Sequence, residues 1–169
     1  NTSQTGYQEI LTDPSYADQI ITFTFPHIGI VGTNDLDVES KKIYASGCIF
    51  NQPSNHFSNW RSHSNINFFF TKNNIPCITN IDTRQLTRIL ATNGAMKAAI
   101  VHFDKNKKNF EDLKTKLDKW SGLENLDLAS IVTTQNSYNT NEGVWDVKNN
   151  RYSQNDKSIY NITCLDLGI

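Results

Sequence analysis

The sequence predicts a mixed α/β fold, and three observations carry that expectation. The stretch "QIITFTF" (Gln19 to Phe25) alternates Ile21, Phe23 and Phe25 against Ile20, Thr22 and Thr24, which is the two-residue period of a strand with one strongly apolar face. The β-branched run "IPCITN" (Ile75 to Asn80) leads at once into a helix pattern, opened by Asp82 as cap with Gln85 three residues on and closed by Gly94. That helix runs on to "AAIVHF" (Ala98 to Phe103), so the passage reads strand, helix, strand, with a crossover long enough for a parallel pair.

The other elements follow in order. "TGYQEIL" begins a helix that meets the turn Asp13-Pro14-Ser15-Tyr16. Proline fixes φ there and the preceding aspartate can bond the turn backbone, so Ser15 is held at low entropic cost. After Pro26, "PHIGIVGTND" has the glycines and Asn-Asp pair of a shaped loop. "KKIYASGCIF" (Lys41 to Phe50) predicts a second strand, and "NINFFFTKNN" a brief helix with its aromatics packed inward. In the helix after Asp82, Leu86, Ile89 and Leu90 share one face. A further helix is expected from Asn109 to Trp120, with Phe110, Leu113, Leu117 and Trp120 on one stripe and Lys and Asp outside. Residues 133–156 read as a polar linker with short extended pieces, and "SIYNITCLDLGI" as a new buried strand.

With 169 residues the chain has room for one domain and a little more. Its net charge of −1, drawn from scattered acids and bases, gives no electrostatic footprint for nucleic acid or acidic lipid. No apolar run approaches the ~20 residues that span a bilayer, and the expectation is a soluble, cytoplasmic protein. Because the sequence opens on Asn1, it is expected to start inside a longer reading frame rather than after a removed leader. Cys48, Cys77 and Cys164 form no C-x-x-C pair or disulfide framework and fit a reducing compartment, each as a small buried hydrophobe in a strand-like setting.

The catalytic inventory is thin. His27, His56, His63 and His102 lack zinc-site spacing, and there is no nucleophile elbow or phosphate loop; "GIVGTND" reads as turn-making. Among Asp13, Asp35, Asp37, Asp82 and Asp166 no spacing pairs two carboxylates for acid-base work. Arg84 and Arg88, four apart on one helix face, suit an anion, a partner or plain solvent. Ser15 either closes its turn or gives one hydrogen bond to a small polar ligand.

The stretch "NTSQTGYQEILTDPSYADQIITFTFPHIGIVGTND" followed by "NIDTRQLTRILATNGAM", with "ASGCIF", "FSNWRS", "LASIVTT" and "ITCLDLG" in order, closely resembles the small, glutamine-hydrolysing chain of carbamoyl-phosphate synthetase. The resemblance implies a swivelling β/β/α domain over residues 1–132, a linker over 133–156 and, at 157–169, the first strand of a truncated class I glutamine amidotransferase domain. It implies a complete protein that hydrolyses glutamine through a cysteine thiolate and a glutamyl thioester. Ammonia then passes to a large-subunit partner, which uses ATP and Mg to make carbamoyl phosphate for arginine and pyrimidine synthesis; no cofactor is implied for this chain.

The family's nucleophile has no counterpart among Cys48, Cys77 and Cys164, so the chain alone is expected to be inactive. The serine of the family's D-P-S-Y turn binds substrate glutamine, and it matches Ser15. Arg84 and Arg88 become candidates for support at the large-chain surface. Ile30 stands where the family commonly has Asn, which puts a polar contact there in doubt. Two other readings share the fold: a non-catalytic interaction module, and the front of a fused multifunctional pyrimidine enzyme.

Overall fold

The computed structural model describes residues 1–103, 109–155, 157 and 159–168, and the chain divides into two compact units, Asn1–Asp127 and Leu128–Ile169. The first unit has the mixed α/β character expected. Its chief sheet is parallel and three-stranded, with β1 (Ile20–Thr22) and β5 (Cys77–Ile78) on either side of β3 (Gly47–Ile49). A second parallel pair joins β2 (His27–Ile28) to β4 (Gln52–Pro53).

The alternation read in "QIITFTF" holds: Ile21 and Phe23 are buried and Phe25 is half-buried against the core. Helix α1 (Tyr7–Thr12) adds Tyr7 and Leu11 to that core, and α2 (Ile66–Lys72) adds Ile66 and Phe70. Of the α2 aromatics, Phe68 is 57% exposed, so the expected inward packing applies to Phe70 and, in part, to Phe69. Seven residues make about two turns, and such a helix cannot turn three consecutive side chains to one side.

Helix α3 (Thr83–Asn93) starts where the sequence puts it. The Asp82 carboxylate accepts the Gln85 N–H at 2.9 Å, and Gly94 ends the helix at φ 76°. Helix α4 (Phe110–Lys119) is capped by Asn109, whose side chain accepts from Asp112 N–H at 3.1 Å, and carries a Lys116–Asp112 pair at 2.8 Å. Its predicted stripe is only half-buried at Leu113 and Leu117, and Phe110 is 65% exposed.

Among the described residues two expected strands are not formed. Residues 98–103 join no ladder; Ile100 instead lies over Gly47, close enough that a Cβ at Gly47 would meet it at 2.9 Å. Apolar pattern reports which side chains seek cover, whereas a strand also needs a backbone partner, which is a long-range matter. The flanks of "KKIYASGCIF" likewise stay outside the ladder, which holds only Gly47–Ile49.

The second unit holds α5 (Leu128–Val132) and an antiparallel hairpin of β6 (Glu142–Asp146) and β7 (Arg151–Gln154), with Trp145 edge-on to Tyr152 at 5.0 Å between ring centroids. The expected strand at its end is absent among the described residues. Ile159 and Ile162 are 87% and 85% exposed, and Cys164 is exposed too. Ser158 and Ile169 lie outside the described residues.

Candidate functional site

The site begins with the chain leaving α1. The Asp13 N–H closes the helix onto Glu9 O at 2.9 Å, and Asp13 then caps a single 3-10 turn over Pro14–Tyr16. Pro14 at the first position of that turn is buried, and Tyr16 N–H donates back to Asp13 O at 3.1 Å. The Asp13 carboxylate oxygen Oδ1 accepts twice from one residue, from Ser15 N–H at 2.8 Å and from the Ser15 hydroxyl at 2.7 Å. Gln19 completes the turn by donating its side-chain N–H to Ser15 O at 3.0 Å.

Ser15 is therefore exposed yet fixed. A hydroxyl has one proton and two acceptor lone pairs. With the proton given to Asp13, the oxygen of this exposed residue keeps its lone pairs as an acceptor.

The turn is rigid because α1 is strapped to the loop after β2. Tyr7 donates its hydroxyl to Gly32 O at 2.6 Å. The Gln8 side chain clamps the Asn34 backbone, with Oε1 accepting Asn34 N–H at 3.0 Å and Nε2 donating to Asn34 O. Thr12 Oγ1 accepts Glu39 N–H at 2.9 Å, and Ser40 donates to Thr12 O at 2.6 Å. Burial pushes the Tyr7 phenol well above its ordinary range, so it stays a donor.

The same loop is tied from its other side. Asn34 donates to Asp37 at 2.7 Å, and Asp37 pairs with Arg61 at 2.5 Å, which joins the "GTND" and "FSNWRS" stretches. The loop glycines are turn-makers as expected. Gly32 sits at φ 69° with Ser62 1.8 Å from where its Cβ would stand, and Gly29 at φ 101° beneath Ile66. Ile30, half-buried, contributes its carbonyl to Ser58 N–H at 3.0 Å.

Gln8, Thr33, Asn34, Lys41 and Lys72 are among the residues bordering an open cleft of about 470 Å³ beside this loop. Arg84 and Arg88 are exposed on α3, and the Arg88 carbonyl accepts the Thr92 hydroxyl at 3.0 Å. The four histidines are exposed, and Cys77 is exposed as well, against the expectation of a buried thiol; only Cys48 is buried. The edge position of β5 explains the difference, since a strand with one neighbour leaves a flank to solvent.

Comparison with known proteins adds the family. Residues 1–100 match the model described as "Carbamoyl-phosphate synthase small chain, CPSase domain". The chain belongs to the carbamoyl-phosphate synthase small-chain family. Relatives named carbamoyl phosphate synthase small chain include those of Bartonella henselae, 43% identical over the whole chain, and Buchnera aphidicola from Acyrthosiphon pisum, 44% identical. The one from Campylobacter jejuni is 38% identical, again over 100% of this chain. The chain spans 43% to 45% of the length of these relatives.

In this small-chain domain the matched residues include the D-P-S-Y turn, α1 and its straps, and α3. Sequence reasoning picked out Ser15 and Asp13 but missed the straps. The partners of Gln8 lie 26 residues away, and no local pattern encodes a contact of that range.

Proposed function

We propose that the protein is the glutamine-hydrolysing small subunit of carbamoyl-phosphate synthase and that Ser15 is a contact for the substrate glutamine. In this reading residues 1–132 are the amino-terminal domain, 133–156 a linker and 157–169 the opening of the glutaminase domain. Glutamine is hydrolysed there to glutamate and ammonia. The ammonia goes to a large subunit, which consumes ATP and bicarbonate to make carbamoyl phosphate for arginine and pyrimidine synthesis. Arg84 and Arg88, exposed on α3, are candidate basic contacts for that partner.

The observation that supports the role of Ser15 is the state of its hydroxyl. Its proton is committed to Asp13 at 2.7 Å, so its lone pairs are left to accept from an N–H donor. Glutamine brings two such groups, an α-ammonium and a carboxamide. The turn needs no rearrangement to meet either, because Pro14 and the Asp13 cap already hold the backbone.

A hydrogen bond to a charged donor contributes about 1.5–3 kcal/mol, and about 1.4 kcal/mol is tenfold in affinity. In the complete enzyme Ser15→Ala is expected to raise the KM for glutamine tenfold or more, while synthesis from free ammonia is unchanged. Steady-state assays with each nitrogen donor make the comparison. Equal loss of both activities assigns Ser15 a structural role instead.

A further inference from the structure

We propose that Cys48 and Cys77 are a redox modification site, closing to a disulfide that staples the edge strand β5 to the central strand β3. The two residues are direct partners in the parallel ladder. Neighbouring strands lie about 4.7–4.9 Å apart, inside the roughly 4.4–6.8 Å Cα separation that a disulfide spans. Residues in register on adjacent strands point to the same face, and here they continue a row that begins at Ile21.

Their exposures divide the labour. Cys77 is open to solvent on the sheet edge, while Cys48 is buried beside it. A low-molecular-weight disulfide such as oxidised glutathione is the oxidant. The Cys77 thiolate attacks one of its sulfurs and releases one thiolate, leaving a mixed disulfide on Cys77. Cys48 then attacks Sγ of Cys77 and releases the second. Two protein thiols become one disulfide, the oxidant is reduced to two thiols, and the two protein protons go to them. Burial holds both thiols above their ordinary range, so the exchange is faster at mildly alkaline pH.

The test uses the protein carrying Cys164→Ser, treated with oxidised glutathione and digested with trypsin under non-reducing conditions. The expected product is peptide 43–61 joined to peptide 73–84, separated again by a dithiol. The oxidised protein is also expected to melt several degrees higher than the reduced one, a gain that Cys77→Ser abolishes. Recovery of Cys77 as the glutathione adduct with Cys48 free, or of a dimer linked through Cys77 alone, overturns the proposal. So does a melting shift that survives in Cys77→Ser.

Discussion

Between Tyr7 and Ile75 each element of the first unit leans on another, whereas α3 and α4 stand largely on their own end signals. Among the described residues all the core side chains lie in the earlier stretch, among them Phe23, Phe50 and Ile28 with no exposed surface. Along α3 only Thr83 is buried, and along α4 no residue is. Both helices nevertheless have a capping side chain and a defined start. Both helices thus keep their caps with little burial, while the geometry around Ser15 draws on contacts that many distant residues supply together.

Substitutions sharpen this contrast. The largest effect is expected from Phe23→Ala, which opens a cavity in the core at a cost of about 3–5 kcal/mol. The same change at the exposed Phe110, which loses only a ring contact with Phe103, is expected to cost at most about 1.5 kcal/mol. Urea unfolding of the two variants tests the difference, and similar midpoints would erase the distinction between the regions.

Next comes Gln8→Leu, which removes the acceptor for Asn34 N–H and leaves that partly buried group unpaired, at about 1–3 kcal/mol. Hydrogen exchange at Asn34 should quicken, and with it the exchange of the α1 amides. Unchanged protection at Asn34 would mean that Gln8 does not hold the loop.

The smallest effect is Asp82→Ala, with the loss of one cap at about 1 kcal/mol. It should appear as fraying of α3 alone, with the α1 amides unaffected. Loss of protection in both helices would show that α3 is tied to the core after all.

What was legible in the sequence follows the same division. Asp82 and Gly94 mark α3 because caps are local chemistry, and the alternation of Ile21, Phe23 and Phe25 shows the inward face of β1 because side-chain direction is local geometry. The D-P-S-Y turn is legible for the same reason. Strand pairing is not local. "AAIVHF" and "SIYNITCLDL" have the composition of buried strands, yet neither joins a ladder among the described residues, and Cys77 is exposed because its strand lies at an edge. The Gln8 clamp and the Asp37–Arg61 pair were hidden, since each joins residues more than twenty positions apart.

The straps on α1 have a mechanical consequence. Tyr7, Gln8 and Thr12 fasten three successive points of one short helix to residues 32–40, and Arg61 fastens that loop in turn to the chain beyond β4. Arg61 and the Asp13 turn are thereby joined through one unbroken run of hydrogen bonds and an ion pair. Whatever docks on Arg61 therefore touches the same network that sets the position of the Ser15 oxygen.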